Sequence, residues 1–77
     1  MDYARLIKYF RMLHRIPLVK FAEELGVTKD AVIKWENGTN HPSELNLFSI
    51  RKMWKEYGFD PETIKEEDLA ELLYLNK

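Results

Sequence analysis

Residues 18–37 read L-V-K-F-A-E-E-L-G-V-T-K-D-A-V-I-K-W-E-N and place Ala22, Gly26, Val32 and Trp35 at positions 5, 9, 15 and 18 of a twenty-residue window. The spacing predicts two short helices, Leu18 to Leu25 and Lys29 to Glu36, crossing at a tight corner. Such a corner calls for a small side chain where the helices approach, Ala22, and for a residue at ease with positive φ where the chain reverses, Gly26. Val32 and Trp35 stand three apart and share the buried face of the second helix. Thr28 offers that helix an N-cap hydroxyl, and Asn37-Gly38 closes it. A helix of about eight residues is marginal alone, so packing through Trp35 must hold it. Lys29, Asp30, Ile33 and Lys34 are thereby turned outward.

On either side the same logic extends. Asp2 caps a first helix running to about His14, with Tyr3, Ile7, Phe10 and Leu13 at helical spacing, and Pro17 ends it. After the polar loop Gly38-Thr39-Asn40-His41-Pro42, Ser43 caps a fourth helix carrying Leu47, Ile50, Trp54 and Tyr57 on one stripe and stopping at Gly58. Asp60-Pro61 opens a fifth, with a break expected near Lys65. No segment alternates as a strand does, so the fold reads as all-α, a compact bundle of about five short helices. The whole of 1–77 reads as one domain, with 60–77 as a C-terminal extension.

With 77 residues and 45% apolar content, a chain this size buries only roughly 60% of its unfolded surface, so its large aromatics matter to stability. It has no cysteine and no ligand cluster at metal spacing, so neither disulfide, metal nor cofactor is expected. The longest apolar run is Leu72 to Leu75, too short for a membrane span or a signal peptide, which leaves the cytoplasm as the default location. Net charge is −1, but its distribution is uneven. Arg5, Lys8, Arg11, Arg15 and Lys20 follow one another without an acidic residue, whereas Asp60 to Glu71 holds six acidic residues against Lys65. That asymmetry suggests a basic binding face and an acidic far side, or two plainly solvated helix faces.

Through A-E-E-L-G-V-T, W-E-N-G and Phe10-Arg11 the chain resembles the Xre/Cro family of phage-repressor-like helix-turn-helix domains over roughly residues 5 to 64. The resemblance implies a lambda-repressor-like fold and a transcription regulator, such as a repressor, that binds double-stranded DNA. It further implies that Arg11 of the first helix pairs with Glu36 and sets the angle of the third, a task suited to a bidentate guanidinium. Lys29, Asp30, Ile33 and Lys34 then face the bases, where Lys29 and Lys34 suit guanine O6/N7, Ile33 a thymine methyl and Asp30 cytosine N4. Lys20, Thr28, Thr39, Asn40 and His41 are the candidates for phosphate contact. The sequence departs from the family at Pro17-Leu18, where relatives have Ser-Gln, at Arg15-Ile16 in place of a glycine, and in a fourth helix about one turn longer.

Trp35 and Trp54 lie on apolar stripes and read as core rather than as base-stacking platforms. No nucleophile-base pair, phosphate loop or metal motif supports an enzyme. Two readings remain, a DNA-binding homodimer on a palindrome and a degenerate helix-turn-helix that docks a protein partner through Leu18, Val19 and Ile33. Leu69, Leu72 and Leu73 form an apolar patch that either joins two copies or packs back on the first helix.

Overall fold

A computed structural model describes residues 2–75. The order is α1 (Tyr3–Leu13), α2 (Leu18–Leu25), α3 (Lys29–Glu36), α4 (Glu44–Glu56), a 3-10 turn (Pro61–Thr63) and α5 (Glu66–Leu75), with no strand among the described residues. Side chains cap three of the helix starts. Asp2 takes the amide of Arg5 at 3.2 Å, Thr28 that of Ala31 at 3.1 Å and Ser43 that of Asn46 at 3.2 Å.

The first four helices end alike. The amides of Ile16, Val27, Thr39 and Phe59 return to the carbonyls of Arg11, Ala22, Lys34 and Trp54 at 2.8–3.0 Å, each following a residue at positive φ. This is the Schellman closure, which satisfies carbonyls that a helix end would otherwise orphan. At Gly26, φ is 70° and a Cβ would meet nothing within 4 Å, so backbone rotation rather than space calls for glycine. Arg15 makes the same closure at φ 55° with a full side chain, a conformation that costs energy in an L-residue. α1 is therefore closed by Arg15, not by Pro17 as expected. Pro17, with φ −61° and ψ 151°, stands at the N-cap of α2.

Ile7, Phe10, Phe21, Val32, Ile50 and Trp54 are fully buried, and α1 lies against both α3 and α5. The Phe10 ring has five ring neighbours, His14, Phe21, Trp54, Tyr57 and Phe59, at centroid distances of 4.8–6.3 Å. Two residues of the expected stripes fall outside. Leu13 is 47% exposed on the last turn of α1, and Tyr57 is 44% exposed because it is the C-cap of α4, where helical register no longer aims the side chain. Leu6, Tyr9, Ile16, Ala22, Trp35, Met53, Phe59 and Leu69 complete the core.

Asp60 takes the amide of Glu62 at 3.0 Å, but what it opens is only the 3-10 turn. Extended Ile64 breaks the chain, and α5 starts after Lys65, whose amide is held by Asp68 at 3.1 Å. The leucine patch turns inward. Leu69 is 7% exposed within the core, Leu72 and Leu73 pack against it, and Arg5 meets Glu66 at 2.6 Å across the α1–α5 seam. Of the two roles open to this patch, the packing seen is the one against α1, with Leu72 and Leu73 left half-buried. Residues 76 and 77 of the extension lie outside the described residues.

Candidate nucleic-acid interface

The corner packs as its residue types demand. Ala22 is 3% exposed where α2 meets α3, and Val32 and Trp35 face the core. With that side of α3 buried, Lys29, Asp30, Ile33 and Lys34 stand on the opposite side and are exposed. Ile33 is the least open of them and lines a groove of about 310 Å³ together with Lys8, Leu18 and Asn37, over the Arg11–Glu36 pair. Leu18 is half-buried, packed against the core while still lining this groove, and Val19 stays exposed.

One ion pair sets the pose of α3. Arg11 donates from Nε to Glu36 Oε2 at 2.7 Å and from Nη2 to Oε1 at 3.0 Å, and its Nη1 reaches the carbonyl of Ile16 at 3.2 Å. Both side chains are largely shielded from water, so the fork is little screened and its geometry is well determined. Glu36, the last residue of α3, thus ends the helix with its charge paired.

The basic run is reshaped by such pairing. Arg5 is matched by Glu66 and Arg11 by Glu36, and Lys20 leans toward Glu24 at 3.9 Å. Lys8 and Arg15 keep unmatched charge among the described residues, as do Lys29 and Lys34 on α3. The sequence places Lys8 in the basic run without assigning it a contact. The signal was present, since Lys8 precedes Arg11 by three residues and therefore flanks it on one helix face.

The candidate phosphate contacts differ in what they have left to give. Thr28 Oγ1 accepts the amide of Ala31, which leaves its hydroxyl proton free to donate. Asn37 Oδ1 accepts both the amide and the hydroxyl of Thr39, so Thr39 is already engaged as a donor. The amides of Thr39 and Asn40 both point to the Lys34 carbonyl, at 2.9 and 3.2 Å. What the loop offers outward is the exposed side chains of Asn40 and His41. Pro42 is buried, and a crevice lined by Tyr3, Trp35 and His41 separates the loop from the start of α1. At α2, Pro17 supplies no capping side chain, and the amides of its first turn have no partner within the helix.

Among the described residues no three His, Cys, Asp or Glu side chains gather as a metal would need, and no helix is long and apolar enough to cross a membrane. A helix-turn-helix family model matches residues 7–53, more than half of the chain and inclusive of α2, α3 and the Arg11–Glu36 pair. No curated protein and no solved structure matches the chain.

Proposed function

The chain belongs to the Xre/Cro-type helix-turn-helix family, and from that premise we propose that it is a sequence-specific transcriptional regulator that inserts α3 into the DNA major groove. The observation that carries this reading is the pose of α3. Its buried side is fixed by Val32, Trp35 and the Arg11–Glu36 fork, and its outer side presents two unmatched lysines. Lys29 and Lys34 donate to guanine O6 or N7, Ile33 covers a thymine methyl, and Asp30 accepts from cytosine N4. Thr28, Asn40, His41 and Lys20 hold phosphates, joined by Lys8 at the groove edge, and Thr39 acts through its hydrogen bond to Asn37. The protein works without catalysis, in the cytoplasm.

Two copies bind a palindrome, with half-site centres roughly 34 Å apart. They meet through the outer face of α4, where Leu45 is 75% and Phe48 66% exposed one turn apart, directly after the loop that leaves α3. Apolar side chains this open, beside the recognition helix, suit a second copy held at DNA.

The test is selection from a random duplex library at ~100 mM salt, with the affinity of the winner followed against salt. An enriched inverted repeat and a steep salt slope are expected. Weak binding that enriches nothing and vanishes with salt overturns the reading and turns attention to a protein partner on Val19, Leu45 and Phe48.

A further inference from the structure

On the side of α1 reached by Tyr3, the C-terminal half of α4 and the 60–62 turn enclose a cleft of about 390 Å³. Its wall is aromatic. Tyr3 stacks on Trp54 with centroids 6.1 Å apart and planes 15° from parallel, and Phe59 abuts Trp54 at 5.4 Å. Charge around this wall is separated by element. Arg51 and Lys55, four apart and so on one face of α4, supply the cations, whereas Asp60 and Glu62 on the turn supply the anions. None of the four forms an ion pair among the described residues. Arg51 is oriented by the Tyr3 hydroxyl, to which it donates, and lies 5.4 Å from that ring's centre.

Trp54 adds an independent observation. Its indole is 1% exposed, and Nε1–H is the one buried side-chain polar atom without a hydrogen-bond partner among the described residues. Buried donors are nearly always satisfied, and an orphan costs the fold.

We infer that this cleft binds a small zwitterion with an apolar or aromatic body, of the α-amino-acid class. The carboxylate meets Arg51 and Lys55, the ammonium meets Asp60 and Glu62, and the body lies on Tyr3, Trp54 and Phe59. A ligand with both charges fits two opposed, unpaired charge pairs better than a simple acid or amine, each of which leaves one pair facing a desolvated body. The cleft volume accommodates a side chain as large as that of phenylalanine. This inference does not depend on DNA binding.

The probe is L-phenylalanine, which leaves tryptophan fluorescence readable, with backbone amide shifts locating the site. Saturable binding on the order of 0.1–1 mM is expected, with shifts at Arg51, Lys55, Phe59 and Asp60. 3-Phenylpropionate and phenethylamine, each lacking one charge, should bind about tenfold or more weakly. The variants Lys55→Gln and Glu62→Gln alter exposed side chains outside the core. Lys55→Gln should weaken L-phenylalanine while sparing phenethylamine, and Glu62→Gln should weaken it while sparing 3-phenylpropionate. The inference is overturned by the absence of saturation up to ~10 mM, by shifts centred on another face, or by equal responses to all three compounds that neither variant changes.

Discussion

Arg11 and Glu36, 25 residues apart in sequence, are joined by two parallel hydrogen bonds of 2.7 and 3.0 Å at the point where α1 crosses the end of α3. The third contact of the same guanidinium, to the Ile16 carbonyl, fastens the corner leading into α2. One side chain thus sets the relation between the first helix and both helices of the motif. A lysine can supply the charge but not the fork.

Arg11→Lys is therefore expected to lower stability by about 2–3 kcal/mol, since it leaves a shielded carboxylate with one contact in place of two. Urea unfolding measures the loss. The midpoint should fall with little change in slope.

Arg15 occupies a left-handed position that glycine takes at the ends of α2, α3 and α4. Arg15→Gly relieves that strain and should raise stability by about 0.5–1 kcal/mol, less the greater freedom glycine has when unfolded. A drop in thermal midpoint would show that the Arg15 side chain makes a contact worth more than its backbone costs.

Lys34→Ala should relax base preference at its own position, by about 1–3 kcal/mol of discrimination, while Lys8→Ala should weaken every duplex alike and lower the salt slope by about 1. Lys20→Ala should do less than Lys8→Ala, because Lys20 already faces Glu24. Competition binding with mutated sites at several salt concentrations separates the three. Identical effects of Lys34→Ala on all sequences would mean that α3 reads no bases.

Tyr9 is buried against α5, and its phenol is pushed above the ordinary tyrosine value by desolvation and then by the charges of Asp68 and Glu71. The folded state therefore favours the protonated phenol. Its contribution is fully present below the unfolded tyrosine value of about 10 and is lost as pH rises through the folded one. Stability measured against alkaline pH should fall there, and Tyr9→Phe should flatten the fall.

Phe48→Asp and Leu45→Asp should leave the monomer as stable as before and abolish binding to a full palindrome in favour of half-site affinity. Leu69→Asp should instead unfold the chain, because that side chain is core. Sedimentation with and without the selected duplex distinguishes the two surfaces.

How much was legible follows from the range of the forces involved. Both helices of the motif were bounded correctly because Gly26, Thr28 and Asn37-Gly38 act on the backbone within a few residues. Arg11 and Glu36 were paired through family resemblance, since nothing local joins residues so far apart. One misreading is local, the end of α1, which Arg15 closes in place of Pro17; the others are of longer range. Periodicity placed Leu13 and Tyr57 on buried stripes, but whether a stripe stays covered to its end depends on partners that arrive later in the chain. Tyr9 and Leu6 were passed over because α1 is covered by α3 and by α5, so a single stripe understates it. Of the site, the outward residues of α3 were read directly. The pairings that neutralise Arg5 and engage Thr39 were not, because they depend on three-dimensional neighbours.

The covering of α1 by α5 has a consequence for how the molecule is made. α1 is completed only once α5, made more than fifty residues later, docks on it, since Leu69 and the Arg5–Glu66 contact come from α5. Until then Tyr9 lacks its cover, and a nascent chain interrupted after α4 carries an exposed apolar strip of the kind that promotes aggregation. A chain that stops short of α5 therefore leaves the inner face of α1 wet.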